Sequence, residues 1–257
     1  MSETGDGAGG GRLEGTVALV TGASSGLGRA TAIALARAGA DVALVARSEG
    51  ELEGAEQEVS GMGRRALALP TDLADAGETA AAVERTVGEF GRVDVLVNAA
   101  GTDVPGTVEE LDVGGWDLTL SVNLRAPFLL SKAVFPRMRE ANGGTIVNVS
   151  SVAGKKGWAN ASAYCASKFG LTGLTEALAD EGKGHGIRAI VLYPGAMAPN
   201  WGAFSPEERQ KSEPNGAPAT QVLAPERVAV FVAWFVASPP EFVLTEGIVL
   251  PIEEGLP

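Results

Sequence analysis

The sequence VALVTGASSGLG, from Val17 to Gly28, decides the fold of this chain. Its first four residues form a continuous apolar run, which is the pattern of a parallel strand buried on both faces. Glycines follow at positions 22, 26 and 28, and an alanine-rich helical stretch then continues to Gly39. Glycines allow the backbone to turn tightly and to approach a ligand, and a helix N-terminus offers free N–H groups to a pyrophosphate. The stretch therefore predicts a dinucleotide-binding turn between a strand and a helix.

The rest of the chain repeats this alternation of strand and helix. Apolar strands are predicted at 42–46, 66–69, 93–97, 145–151, 188–192 and 248–252. Helices are predicted at 49–60, 75–90, 116–139, 162–180 and 225–237. Within the 116–139 helix, Pro127 and Pro136 are expected to bend or end it. The order predicts an α/β fold, a doubly wound (Rossmann) parallel seven-stranded sheet with helices on both faces.

Two segments stand apart from this alternation. Residues 1–14 are rich in glycine and are predicted to be a flexible N-terminal tail. Residues 15–257 are predicted to form one domain. Within that domain, the longest polar stretch runs from about 196 to 223 and contains isolated large apolar residues. Long loops of this kind are usually functional, so we expect a substrate lid there.

The composition argues against several classes of function. The 257 residues carry 20 basic and 32 acidic side chains, and the formal charge of −12 argues against a nucleic-acid or anionic membrane surface. No stretch resembles a signal peptide or approaches the roughly 20 apolar residues of a membrane span. The single cysteine, Cys165, rules out an internal disulfide, and no Cys/His cluster suggests a metal site. We therefore expect a cytoplasmic protein with a small-molecule substrate and neither a metal nor a nucleic-acid nor a membrane partner.

Tyr164 and Lys168 are candidates for proton transfer. They lie four residues apart, so on a helix both side chains leave the same face. A nearby cation favours the phenolate and is expected to lower the pKa of the tyrosine from its usual value of about 10. The pair can therefore act as general acid–base machinery, although the same spacing also occurs on ordinary solvated helix faces.

The end of the second predicted strand bears on the choice of cofactor. A fold of this kind that prefers NAD usually holds an acidic residue about 20 positions after the glycines, whereas an arginine nearby suits the 2′-phosphate of NADP. Ala46 and Arg47 occupy that place, which favours NADP(H) over NAD(H). The alternative is that Arg47 is a solvated charge at the end of the strand. Asp72, further on, is expected to cap the next helix, to touch the adenine, or to do both.

Other candidates lie at the ends of later strands and in the loops. Asn98-Ala99-Ala100-Gly101 follows an apolar strand and leaves room for a flat ring system. Successive strand residues point to opposite faces, so at most one of Ser150 and Ser151 should face the site. Asn123 is either a structural amide or the holder of a water molecule in a proton path. Large side chains that either line the substrate pocket or anchor their loops are Trp158, Met197, Trp201 and Phe204.

Together these elements make the chain resemble the short-chain dehydrogenase/reductase family, and in particular its NADP-preferring members that reduce carbonyl and 3-oxoacyl compounds. The resemblance extends over essentially the whole chain after the tail. The matching motifs, in order, are the 21–28 stretch for TGxxxGxG, 98–101 for NAAG, Asn123, the serine strand, 164–168 for YxxxK, and Pro194-Gly195.

The resemblance implies roles for individual residues. The catalytic serine of the family lies thirteen positions before the tyrosine, which selects Ser151. Tyr164 would be the general acid or base, Lys168 would lower its pKa and hold the nicotinamide ribose, and Asn123 would anchor a relay water. Substrate would contact Ser151, Trp158, Tyr164 and Trp201. The implied cofactor-binding set is Gly22, Ser24, Ser25, Gly26, Leu27, Gly28, Arg47, Asp72, Leu73, Asn98, Ala99, Gly101, Tyr164, Lys168, Pro194, Gly195 and Met197.

The expected activity is NADPH-dependent reduction of a ketone or aldehyde, or the reverse oxidation. An NAD-dependent alcohol or sugar dehydrogenase is the nearest alternative, and a catalytically silent dinucleotide sensor is the alternative from another class. The resemblance also implies a homotetramer or dimer packed through the helices that begin near Trp116 and Ser162. One departure concerns cofactor contacts, because the threonine that often follows the Pro-Gly pair is missing and Asn200 or a backbone group would have to replace it.

Overall fold

The computed structural model describes residues 13–197 and 222–252 of the chain. Its centre is a seven-stranded sheet in which every paired strand is parallel, in the order β3-β2-β1-β4-β5-β6-β7. The strands are β1 (Val17–Thr21), β2 (Asp41–Ala46), β3 (Ala66–Pro70), β4 (Val95–Asn98), β5 (Gly144–Val149), β6 (Ile187–Pro194) and β7 (Glu246–Val249). The predicted fold class is therefore confirmed.

Helices cover both faces of the sheet. They are α1 (Gly26–Arg37), α2 (Glu49–Gly61), α3 (Ala76–Phe90), α4 (Val113–Leu120), α5 (Ala126–Glu140), α6 (Ser162–Gly182) and α7 (Pro225–Val236). Because side chains alternate along a strand, Ala18 and Val20 of β1 pack against α1, α2 and α7, whereas Leu19 packs in the second core with α3, α5 and α6. In the part of the chain that the structure describes, no helix is long and apolar enough to cross a membrane.

The helix predicted at 116–139 differs from expectation. It begins at Val113 and continues to Glu140, interrupted only by a π-helical segment, Ser121–Arg125, which holds Asn123. Neither proline ends it: Pro127 lies in the first turn of α5, where an absent N–H matters little, and Pro136 lies inside the helix. Val134 and Met138, on either side of Pro136, are fully buried, so tertiary packing holds this part of α5 in place.

The structure describes the predicted N-terminal tail and the proposed lid only in part. Leu13 is buried, and its N–H donates to the Ala38 carbonyl at 2.9 Å, so the chain is already anchored on the end of α1 at this residue. Of the proposed lid, the structure describes the two ends, where Met197 bridges to Leu223 and the Leu223 N–H donates to the Ala196 carbonyl at 2.8 Å. Trp201, Phe204 and Asn200 lie outside the described residues.

The strand order fixes where a ligand can bind. The chain leaves β1 towards β2 on one side and returns to β4 on the other, so the connections at the carboxyl ends of β1 and β4 diverge. In open parallel sheets this divergence opens a crevice in which ligands bind. The glycine turn, the 98–101 segment and Ser151 all follow strands at this edge of the sheet.

Candidate active site

The glycine turn after β1 has the geometry of an anion cradle. Gly28 has no room for a side chain, because a Cβ there would lie 2.2 Å from the Gly22 carbonyl oxygen. Gly22 and Gly26 have positive φ angles of 69° and 53°, and a Cβ on Gly26 would meet nothing within 4 Å. Ser25, at the N-cap of α1, makes no side-chain capping bond. The N–H groups of the first turn therefore remain available to a pyrophosphate, which fits a dinucleotide.

Thr21 ties this turn to the neighbouring strand. Its Oγ1 accepts hydrogen bonds from the backbone N–H groups of Ala99 and Ala100, each at 3.0 Å. A Cβ on Gly22 would lie only 3.0 Å from Ala100 backbone atoms, so the two segments are in direct contact. Thr21 belongs to the predicted glycine motif, but this role has no local signal in the sequence, since both partners lie more than 70 residues away along the chain.

A buried polar ladder continues from β4 into the helix that carries Tyr164. Asn98 donates to the Asn148 side-chain oxygen at 2.7 Å, and Asn148 donates to the Thr175 hydroxyl at 2.8 Å. All three side chains are at most 2% exposed. Since buried polar groups must be hydrogen-bonded, the ladder fixes the register between β4, β5 and α6.

Asn123 holds the segment that follows the 98–101 motif. Its Oδ1 accepts from the Thr102 N–H at 2.8 Å, and its Nδ2 donates to the Thr102 carbonyl at 2.8 Å and to the Ser167 hydroxyl at 3.1 Å. Both amide hydrogens are thus used within the protein. The side chain acts first as the positioning amide that sequence reasoning considered, placed by the π-helical segment between α4 and α5.

The two serines at the end of β5 point in different directions. Ser150 is buried, and its hydroxyl donates to the Lys168 carbonyl at 3.2 Å, against the backbone of α6. The Ser151 hydroxyl accepts from the Ala153 N–H at 3.2 Å and is hydrogen-bonded to the side chain of Tyr164. The serine that meets the tyrosine is therefore Ser151.

Tyr164 and Lys168 lie in the first two turns of α6 and are both almost entirely buried. The Lys168 ammonium lies 5.5 Å from the centre of the Tyr164 ring and donates to the Val149 carbonyl at 3.0 Å. This bond attaches α6 to the end of β5, the strand that leads into Ser151. The three side chains therefore converge on one point at the carboxyl edge of the sheet.

The charges at this point differ from the expectation based on the Tyr–Lys spacing. Burial raises the pKa of Tyr164 above that of an ordinary phenol, while the hydrogen bond with Ser151 opposes this rise. Burial also lowers the pKa of Lys168 to about 8. The expected lowering of the tyrosine pKa by the lysine is therefore not found, because burial withdraws both groups from water. Tyr164 consequently holds its proton at neutral pH, which is the form that can protonate a carbonyl oxygen.

Asp103 is a site residue that sequence reasoning missed. Burial raises its pKa to about 6, while the Val104 N–H and the Lys168 charge oppose the rise. Its negative charge acts in turn on Lys168 and Tyr164 and raises the pKa of both. The signal in the sequence was an acidic residue two positions after the 98–101 motif, at the ligand-binding edge of a parallel sheet.

The other predicted site residues differ in their exposure to solvent. Arg47 is exposed at the end of β2, and Trp158 is 37% exposed in the loop before α6. Gly195, just after β6, donates its N–H to the Val249 carbonyl. Among the predicted cofactor contacts, the side chains of Leu27 and Leu73 are buried in the hydrophobic cores, which leaves their backbones for a ligand, and the side chain of Met197 is partly buried against the first core.

Asp72 does not cap the next helix. Its Oδ1 accepts from the Ala74 N–H at 3.0 Å, and its own N–H donates to Glu78 at 2.7 Å. The cap of α3 is Asp75, whose side chain accepts from the Glu78 N–H at 2.8 Å. Asp75 takes this place because it is the residue immediately before the first helical turn. Asp72 itself is exposed and remains open to a ligand.

Chemically, the arrangement suits hydride transfer assisted by proton transfer. Among the described residues, no group of three His, Cys, Asp or Glu side chains is placed to hold a metal ion. A protonated phenol and a serine hydroxyl meet at one point, where they can stabilise charge that develops on a substrate oxygen.

Comparison with known proteins gives a consistent result. A family model described as short chain dehydrogenase matches residues 16–210. D-threitol dehydrogenase of Mycolicibacterium smegmatis is 43% identical over 183 residues, 71% of this chain and 70% of the relative. The 3-oxoacyl-[acyl-carrier-protein] reductase of Thermotoga maritima is 33% identical over 245 residues, 95% of this chain and 99% of the relative.

A solved structure shows the same likeness in three dimensions. A metagenomic short-chain oxidoreductase in complex with NADP superposes with a TM-score of 0.79. It is 34% identical in sequence, and the match covers 93% of this chain and 99% of that one.

Replacing Asp103 with asparagine is expected to stabilise the fold at neutral pH. The folded-state pKa of about 6 exceeds the ordinary value of 3.8, so the folded chain holds more protons between these pH values. The free energy of unfolding should therefore fall as the pH rises from about 4 to 6. Because the side chain is partly exposed, we expect a gain of roughly 1 kcal/mol for the variant at pH 7, or about 2–4 °C in Tm.

Thermal unfolding of Asp103→Asn and the wild type, measured from pH 4 to 7.5, tests this expectation. Glu109→Gln is the matched control, since Glu109 is an exposed carboxylate of the same segment. A variant that is less stable than the wild type at pH 7 would contradict the charge assignment.

Proposed function

Because this chain belongs to the short-chain dehydrogenase family, as the family match and its near full-length relatives show, we propose that it uses NADPH to reduce a ketone or aldehyde to an alcohol. The reverse oxidation follows from microscopic reversibility. The family places the chain among oxidoreductases that act on CH–OH and C=O groups. The observation that carries the proposal is the convergence of Ser151, Tyr164 and Lys168 at the ligand-binding edge of the sheet.

In this mechanism Tyr164 gives its proton to the carbonyl oxygen of the substrate. The Ser151 hydroxyl, already hydrogen-bonded to Tyr164, donates to the same oxygen where negative charge develops. A nicotinamide cofactor held at the glycine turn would supply the hydride that the carbonyl carbon receives. Lys168 would hold the ribose of that cofactor, and its charge would favour the tyrosinate that remains after proton transfer. Asn123 positions the 102–103 segment beside them.

The proposed preference for NADPH rests on Arg47. It lies exposed at the end of β2, at the side of the crevice next to the glycine turn, where a 2′-phosphate would be paired by a guanidinium. The similar metagenomic oxidoreductase, described in complex with NADP, supports the same choice. The cofactor set proposed from the sequence, with Gly22, Gly26 and Gly28 at its centre, fits this placement.

A second candidate is an NAD-linked alcohol or polyol dehydrogenase of the same family. This candidate is supported by the 43% identity to an enzyme named D-threitol dehydrogenase, because threitol is a polyol. Relative kcat/KM values for NADPH and NADH, and for the two reaction directions, distinguish it from the first candidate.

We also propose that the protein is a cytoplasmic homo-oligomer. Its one cysteine is free and buried, so the fold requires no disulfide. Three large apolar side chains are exposed on neighbouring helices, Leu118 of α4 at 39%, Phe128 of α5 at 46% and Phe169 of α6 at 48%. A depression of about 550 Å³ beside Phe128 adds to this surface, which we call the α5/α6 face. Exposed apolar patches of this kind mark contact sites.

Tyr164→Phe tests the reaction. Removing the phenolic hydroxyl removes the proton donor, so kcat is expected to fall roughly 100- to 10 000-fold while NADPH still binds. Turnover of ketones and aldehydes, with fluorescence titration of NADPH, provides the measurement. The matched control is Tyr193→Phe, the other tyrosine of the chain, whose hydroxyl donates to Thr172 and is also hydrogen-bonded to Lys155, neither of which is a proposed catalytic residue. Unchanged turnover in Tyr164→Phe would refute the mechanism, and wild-type NADPH binding without any turnover would favour a silent sensor.

Arg47→Asp tests the cofactor preference. Loss of the guanidinium and gain of a carboxylate should lower kcat/KM for NADPH by roughly 10- to 100-fold and spare NADH. Arg37→Asp, an exposed arginine at the end of α1, is the control. An unchanged NADPH to NADH ratio in Arg47→Asp would show that Arg47 does not read the 2′-phosphate.

Phe128→Glu tests the oligomer. A charge placed in the α5/α6 face should be buried without a partner on association, so the variant is expected to dissociate towards smaller species. Multi-angle light scattering of the wild type, Phe128→Glu and the control Val108→Glu measures this; Val108 is 81% exposed and lies outside the face. A wild type that elutes as a monomer would contradict the proposal.

A further inference from the structure

Asp103 lies on a segment that is fixed at both ends. At one end, Thr102 is held by two hydrogen bonds to the side chain of Asn123. At the other end, Gly106 donates to the Asn160 carbonyl at 3.0 Å and bridges to Ala161, three residues before Tyr164. The segment 102–106 therefore forms one wall beside the start of α6, and Asp103 is carried on that wall.

The carboxyl group of Asp103 is only partly satisfied by the protein, through a hydrogen bond with the Val104 N–H. Its Oδ1 is buried and has no hydrogen-bond partner among the described residues, whereas Asn123, beside it, has protein partners for both side-chain atoms. The residue as a whole is only partly buried, so the carboxyl group lies at the wall of the crevice and not in a hydrophobic core. A carboxyl group rotates about its terminal bond at little cost, so either oxygen can turn towards a donor that enters.

A buried carboxylate that is only partly satisfied destabilises the folded chain, and such groups concentrate at functional sites. The residue before the segment, Gly101, lies next to Lys168, because a Cβ on Gly101 would lie 3.8 Å from the Lys168 ammonium. The Lys168 charge lowers the pKa of Asp103, and the Asp103 charge raises that of Lys168. One anion and one cation thus face the same crevice.

This pair of charges selects the kind of donor that fits. A cationic substrate group would be attracted by Asp103 but repelled by Lys168, and an anionic group the reverse, so the pair gives neither of them a net gain that offsets its lost hydration. A neutral hydroxyl donates to Asp103 and adds no charge to the site. We propose that Asp103 is a specificity-determining residue that accepts a hydrogen bond from a second hydroxyl group of the substrate, so that hydroxyketones and the corresponding diols are the preferred substrates.

This inference rests on the proposed oxidoreductase function and deepens it by naming the substrate class. Asp103→Ala tests it by kinetics with 3-hydroxy-2-butanone and 4-hydroxy-2-butanone, each compared with 2-butanone. The ratio of kcat/KM for a hydroxyketone to that for 2-butanone is expected to fall on the order of 10- to 100-fold, as for a lost hydrogen bond to a charged group. Asp103→Asn keeps an acceptor oxygen and should show an intermediate ratio, and Glu109→Ala should keep the wild-type ratio.

A second measurement does not depend on turnover. In the presence of NADP, 2,3-butanediol or 1,3-butanediol should raise the unfolding temperature of the wild type and of Glu109→Ala more than 2-butanol does. This difference should disappear in Asp103→Ala. If the wild type reduces no carbonyl probe but shows the diol-specific shift, the proposed function fails and the role of Asp103 stands.

Two outcomes would overturn the inference while leaving the proposed function intact. In the first, Asp103→Ala keeps the wild-type substrate ratios and the diol-specific shift. In the second, the variant loses the same factor in kcat/KM for all three ketones and its pH profile moves, which would make Asp103 a counter-charge for Lys168 and not a reader of substrate hydroxyls.

Discussion

The hydrogen bond from the buried Lys168 ammonium to the Val149 carbonyl is the contact on which the site depends. It joins the second turn of α6 to the end of β5, and it thereby brings Tyr164 to Ser151. An ammonium withdrawn from water is unfavourable, and one carbonyl oxygen compensates only part of the lost hydration, which is why the pKa of Lys168 falls to about 8. Burial of the Lys168 ammonium therefore lowers the stability of the fold at the position where the proposed reaction needs a cation.

Neighbouring polar side chains hold the segments around the Lys168 ammonium in place. Thr21 holds the glycine turn against the 98–101 segment, and the Asn98–Asn148–Thr175 ladder holds β4, β5 and α6 in register. Asn123 fixes the 102–103 segment from the π-helical turn. The Asn98–Asn148–Thr175 bonds are buried and the others are partly buried, and hydrogen bonds withdrawn from water hold their partners in one arrangement. A preorganised site therefore results from polar contacts within apolar layers.

Burial also sets the protonation states of the reacting groups. It raises the pKa of Tyr164 and lowers that of Lys168, so that the phenol keeps its proton at neutral pH and is suited to protonate a carbonyl. Asp103, on the 102–106 segment, adds a negative charge that opposes the effect of burial on the pKa of Lys168 and adds to that effect on the pKa of Tyr164. Three titratable groups with displaced pKa values in one crevice are typical of an active site.

The sequence alone determined the local elements: the strand, glycine turn and helix from Val17 to Gly39, the alternation that gives a parallel sheet, and the Tyr164–Lys168 spacing. These features depend on hydrophobic periodicity and backbone freedom, which neighbouring residues fix. Only the tertiary structure decided the continuation of α5 past Pro136, the direction of the Tyr164 pKa and the contacts of Asp103. Each of these depends on burial and on contacts between distant parts of the chain, and such contacts leave no local pattern in the sequence.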